Sequence, residues 1–205
     1  MSRVVRRTYR CFVVPYLAAG LLLLTAGASA QRGALTIHRN LAELTQQAGT
    51  IVRGHVTVVR TEPHPELSNL TTVVISLHVD SLLKGNAPTN FTFRQFVWDI
   101  RDKYEAAGYR KGQELLLLLN PVSTYGLTSP AGMDQGRFVI TRDAKGHATA
   151  VNGYGNAGLF SGFESELRQR KLQLTGSSLV MVSRPSGPAP LPELEALIKQ
   201  FAGAK

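Results

Sequence analysis

Three histidines and an aspartate offer the most specific chemistry in this chain: His55, His64, His78 and Asp80. Imidazole and carboxylate together make the ligand set of zinc and copper sites. His55 lies in the β-branched run 51–59, and His78 with Asp80 lies in the alternating run 72–80. If these runs pair as an antiparallel hairpin across Glu62-Pro63-His64-Pro65-Glu66, both imidazoles fall on the less apolar face. Asp80 then sits close by and His64 lies in the connecting loop. A metal held by His55, His78 and Asp80 would support metal-assisted hydrolysis. The competing reading is of separate solvated or packed histidines, because strong metal motifs show tighter spacing.

Two other patterns imitate catalytic motifs. Gly153-Tyr154-Gly155-Asn156-Ala157-Gly158 matches G-x-G-x-x-G. A dinucleotide site also needs a parallel strand before the glycines, a helix directly after, and an acid some 20 residues on. Here an antiparallel hairpin precedes, Ser161-Gly162 delays any helix, and no Asp follows Asp143, so a mobile glycine loop is expected. Ser81-Leu82-Leu83-Lys84 matches the S-x-x-K of penicillin-binding proteins without the S-D-N and K-T-G elements that chemistry requires. Leu82 and Leu83 read as core and Lys84-Gly85 as a turn.

The richest mixed polar and aromatic segment contains Trp98, Asp99, Arg101, Asp102, Tyr104, Tyr109 and Arg110. Amphipathic aromatics beside charges are typical contact residues, which makes Trp98, Asp99, Arg101, Tyr104 and Tyr109 the candidate binding set. An ordinary surface loop folded over the mouth of the domain is the alternative.

The elements that must position these groups are short strands. His38 to Gly49 opens with a helix, capped by Asn40 and carrying Leu41 and Leu44 on one face. Residues 51–59 follow as a strand. Val73, Ile75, Leu77 and Val79 then alternate with Thr72, Val74, Ser76, His78 and Asp80. Residues 91–97 form a further strand. The five leucines Leu115 to Leu119 are too few for a helix and read as a strand buried on both faces. Residues 136–141 and 147–151 flank the turn Arg142-Asp143-Ala144-Lys145-Gly146 as a hairpin. Residues 164–172 read as a helix, 185–190 as a proline-rich linker, and 191–205 as a final amphipathic helix with Leu191, Leu194, Ile198 and Phe201 on its apolar stripe. About six closely spaced strands with helices at the ends predict a mainly β domain over 31–184, closed or nearly closed as an OB-like β-barrel, with α+β as the wider class.

The first thirty residues read as a signal peptide. Arg3, Arg6, Arg7 and Arg10 precede an apolar run from Phe12 to Gly27, and Ala28-Ser29-Ala30 is an A-x-A cleavage site. The mature chain would begin at Gln31, periplasmic or secreted, touching a membrane only through the signal before cleavage. The whole chain has 23 basic and 14 acidic residues, a formal charge of +9, and losing four arginines leaves +5. That balance, without a dense basic stripe, excludes a nucleic-acid reader. The single cysteine, Cys11, leaves with the signal, so disulfides and thiolate chemistry leave too. Stability must come from the core of about 175 residues, which is large enough to supply it.

Leu41-Ala42-Glu43-Leu44, Ile51-Val52-Arg53-Gly54-His55-Val56, Val73 to Val79, Leu83-Lys84-Gly85 and Gly112 to Leu119 together form a recurring unit. It resembles uncharacterised exported bacterial proteins in which a helix, a V-x-G-x-V strand and a strand ending in L-K-G follow one another. More remotely it is similar to the OB-type barrel of netrin-like domains and tissue inhibitors of metalloproteinases. The resemblance implies a barrel over residues 41–152. It transfers no functional residue, since those inhibitors act through a cysteine-tethered N-terminus that this chain lacks.

The expectation is therefore a non-enzymatic exported binding domain that recognises a protein or glycan partner at the envelope, with no cofactor. The alternatives are a metal-assisted hydrolase built on His55, His78 and Asp80, and a protease inhibitor.

Overall fold

Each long strand pairs where its side-chain alternation can bury one row. The computed structural model describes residues 37–97, 103, 105–170, 173–174 and 176–203, so the expected signal peptide, residues 1–30, lies outside the described residues. Helix α1 spans Leu41–Gln47. Strands β1 (Thr50–Pro63), β2 (Thr71–Lys84), β3 (Asn90–Phe96) and β4 (Glu114–Leu119) follow. After them come β5 (Arg137–Arg142), β6 (Ala148–Asn152), helix α2 (Phe163–Arg170), helix α3 (Gly176–Val182), β7 (Ala189–Pro190) and helix α4 (Leu191–Gly203).

The strands form one antiparallel seven-stranded sheet in the order β3-β2-β1-β4-β5-β6-β7. The protein is thus mainly β with helices, an α+β arrangement. The expected barrel is not formed by the sheet as a whole, because β3 and β7 stand at its opposite edges. The segment after β4 nevertheless bridges from Leu119, which pairs with Pro130, to Arg94 on β3, which pairs with Leu127.

Both faces of the sheet are covered, and β4 shows why. Leu116 and Leu118 face a cluster with Ile51, Phe138 and Ile140, roofed by α1 and α4. Leu115, Leu117 and Leu119 face a second cluster with Val52, Val56, Val73, Ile75, Leu77, Phe93 and Tyr109. All five leucines are at most 1% exposed, as a strand buried on both faces requires. Truncating one of them to alanine costs about 3 kcal/mol, transfer and cavity together.

The helices dock through their own apolar rows. Asn40 accepts from the Glu43 amide at 2.9 Å, and the Glu43 carboxylate accepts from the Asn40 amide at 2.8 Å, a reciprocal cap. Helix α4 buries Leu191, Leu194, Leu197, Ile198 and Phe201, the expected stripe with Leu197 added. The proline-rich stretch before it is built into the sheet, since Ala189 and Pro190 pair with Ala150 and Thr149 of β6. No helix among the described residues is long and apolar enough to cross a membrane.

Lys84 and Gly85 close the hairpin end against α1. The Lys84 ammonium donates to the carbonyls of Thr45 at 2.7 Å and Gln46 at 3.2 Å, supplying charge where the helix dipole ends negative. Partial burial lowers the Lys84 pKa from its ordinary value. Gly85 has φ +79°, and a Cβ there would strike the Gly49 carbonyl oxygen. The S-x-x-K lysine is a helix cap.

Candidate functional site

The β1–β2 hairpin forms in the register that places His55 directly opposite His78. Between Gly54, opposite Val79, and Arg53, opposite Ser81, β2 carries one extra residue, Asp80. This bulge turns Asp80 toward the side chains of His55 and Arg53. Gly54 permits it, because a Cβ at that position would collide with the His78 carbonyl oxygen. On the other flank β4 pairs with β1, and His55 lies opposite Glu114. Glu114 shares the parity of Leu116 and Leu118, so it projects from the helix-covered face just beyond the helices.

The result is a row of charged groups across four strands. His55 Nδ1 lies 2.7 Å from Asp80 Oδ2, and His55 Nε2 lies 3.9 Å from Glu114 Oε2. Arg142 grips Glu114 through both oxygens, Nε to Oε2 at 3.1 Å and NH2 to Oε1 at 2.7 Å. Arg53 reaches Glu114 at 3.3 Å, Asp80 at 3.6 Å and, on α4, Glu195 at 2.7 Å. Burial alone would raise the Glu114 carboxyl. The Arg142 hydrogen bonds, followed by the charges of Arg142, His55 and Arg53, outweigh it and hold the pKa below the ordinary value. His55 remains half exposed, with 49% of its side chain accessible, whereas Glu114 keeps 9%.

Ligand atoms of His55, Asp80 and Glu114 lie within 4.8 Å of one another. Of the three expected metal ligands, His55 and Asp80 meet, while His78 is on the neighbouring strand outside this trio. Glu114, Arg53, Arg142 and Glu195 were not expected there. The parity of the leucine run puts Glu114 on this face, but only the β1–β4 register brings it to His55.

The other candidates sort differently. Trp98, Asp99, Arg101 and Tyr104 lie outside the described residues. Tyr109, expected as a contact residue, is 2% exposed. Its hydroxyl donates to Gln95 at 3.0 Å, its ring meets Phe93 edge-on, and the Arg137 guanidinium sits 5.0 Å above the ring. Burial pushes its phenol well above the ordinary range. Tyr109 therefore anchors its segment to the core. His64 is a staple: Nδ1 accepts from the Glu66 and Leu67 amides at 3.2 and 3.1 Å, so Nε2 carries the proton and donates to the Tyr125 carbonyl at 2.8 Å.

The glycine-rich segment, expected to be mobile, is pinned by two buried asparagines. Asn156, with φ +59°, donates to the carbonyls of Ala150 and Gly187, both at 2.9 Å. Its Oδ1 accepts from the Asn152 amide at 2.9 Å, and Asn152 Oδ1 accepts from the Tyr154 and Asn156 amides at 3.0 and 2.8 Å. The glycines serve this knot, and no cofactor is needed to explain them.

Comparison with known proteins adds no name to this geometry: the chain matches no protein-family model, no curated protein and no solved structure.

Proposed function

We propose that the chain is an exported domain that binds a protein or glycan partner at the cell envelope, in the periplasm or outside the cell. The observation that carries this reading is the row Arg142, Glu114, Arg53, His55 and Asp80, with His78 beside it. These polar groups are held on adjacent strands and braced by ion pairs. Strand-mounted side chains present a fixed pattern of donors and acceptors, and binding then costs little ordering entropy. Asp80 and Glu114 are each engaged by cations, which suits a preorganised recognition surface better than a free general base.

The β1–β4 portion is proposed to act as a partial OB-like barrel. Support comes from the pairing of Leu119 with Pro130 and of Arg94 with Leu127, which carries the chain from β4 across to β3 around the second hydrophobic cluster. Barrels of this kind bind through an exposed strand face and its neighbouring loops. Trp98 and Tyr104, outside the described residues, belong to the contact set proposed for this domain.

Immobilised mature domain should retain specific glycans from an array, or one recurrent protein from an envelope extract. His78→Ala and Arg142→Ala should reduce that retention by about tenfold, and His78→Ala should do so without lowering the melting temperature. Equal retention by parent and variants, or turnover in a hydrolase screen with no retained partner, would reject the reading.

A further inference from the structure

We propose that His55, Asp80 and Glu114 form a surface site for one divalent transition-metal ion of the zinc type. The three residues come from β1, β2 and β4, neighbours in the sheet, and each offers a ligand atom within 4.8 Å of the others. Strands joined by ladders hold ligands more rigidly than loops do. One imidazole and two carboxylates suit zinc, with copper and nickel as close competitors, and are poorly matched to the all-oxygen shells of calcium or magnesium.

The distances are close to what the ion needs. Tetrahedral zinc with bonds near 2.0–2.1 Å sets ligand atoms roughly 3.3 Å apart. His55 Nδ1 to Asp80 is 2.7 Å, somewhat under that spacing, whereas the 3.9 Å contact to Glu114 is made by the other ring nitrogen, Nε2. Metal capture therefore regroups the half-exposed His55 ring and the two carboxylates around one ring nitrogen, loosening the Arg53 and Arg142 contacts to their oxygens.

Charge favours the same ion. Asp80, Glu114 and Glu195 carry three negative charges, and Arg53 and Arg142 carry two positive ones. Apart from His55, these groups leave one uncompensated negative charge. The arginines also aim the ligands: Arg142 fixes Glu114 through both its oxygens, and Arg53 ties Asp80 and Glu114 to Glu195 on α4. Orienting partners of this kind tune metal affinity. Three protein ligands leave a fourth position for water or for His78, which faces His55 in register. The site does not depend on the recognition proposed above.

The test is calorimetric titration of metal-free mature protein with zinc chloride and, separately, calcium chloride. The expected result is one zinc per chain and no calcium heat at the same concentrations, with affinity at least about tenfold weaker in His55→Ala and in Asp80→Asn. A second measurement uses the unaltered chain. Sub-stoichiometric copper should broaden the His55 ring resonances before those of His147, whose Nδ1 lies 2.9 Å from Asp143 in an exposed turn. Absence of zinc binding, equal binding of calcium, unchanged affinity in both variants, or broadening of His147 first would each overturn the proposal.

Discussion

Gly54 lies so close to His78 that a Cβ on Gly54 would overlap the His78 carbonyl oxygen. The close approach belongs to the bulge that frees Asp80 from the ladder and delivers it to His55. One missing methyl group thus sets the geometry of the charged row. Gly54→Ala should cost about 3 kcal/mol, near the upper range for overpacking, because the obstacle is backbone and cannot step aside. Urea denaturation measures the loss; an unchanged midpoint would mean that the two strands can separate locally at no cost.

Lys84 caps α1 from across the hairpin turn. Lys84→Met keeps the aliphatic stem and removes the donor, leaving the Thr45 and Gln46 carbonyls without their charged partner. The expected loss is about 1 kcal/mol, since the ammonium is only partly buried. Thermal denaturation would register it, and amide exchange in α1 should quicken. A variant as stable as the parent would show that solvent replaces the cap fully.

Asn156 combines a left-handed backbone with four hydrogen bonds at 1% exposure. Asn156→Gly removes the side-chain bonds but tolerates the backbone, whereas Asn156→Ala loses both advantages. Both variants should be destabilised by at least about 2 kcal/mol, with alanine worse than glycine by about 1 kcal/mol. The order of their urea midpoints is the readout, and glycine falling below alanine would contradict it.

Glu62 is held below its ordinary value of 4.5 first by a hydrogen bond from Arg94 and then by one from Arg60, at 2.6 and 2.8 Å. A depressed carboxylate stabilises the folded state above its unfolded pKa, and that contribution fades as pH falls through the lowered folded value. Glu62→Gln lacks this titration. Its melting temperature should therefore fall less than the parent's between about pH 6 and about pH 3. Parallel curves would show that the pair does not contribute.

Much of this architecture is legible in residue order. Alternation marks Val73, Ile75 and Leu77 of β2 as core, although Thr72 and Val74 of the opposite row are buried too and Val79 is only partly so; five leucines announce a strand with two buried faces, and Asn40 with Glu43 marks the start of α1. The His55–His78 pairing needs more than the hairpin: it depends on the register shift at Thr57, which no local pattern announces. What pattern cannot give is partnership between distant segments. Glu114 is 59 residues beyond His55 and meets it only because β4 docks on β1, and Arg142 arrives from one strand further. Helix α3 escapes notice because Val180 and Val182 favour strand locally, while its packing beside α4 decides otherwise. Likewise, a glycine-rich run gives no hint of order until Asn152 and Asn156 are seen bonding across it.

The double burial of β4 has a consequence for the order in which the chain is made. α1, β1, β2 and β3 emerge first and can zip into a meander, yet neither hydrophobic cluster is complete until β4 supplies its leucines to each. The helix-side cluster then waits for α4, whose 13 residues follow every strand of the sheet in the chain. A chain interrupted before Leu191 would leave the part of that apolar face covered by α4 exposed, and such surfaces associate between molecules. Emergence of α4 is thus the step at which a growing, sticky sheet gains its last cover on that side.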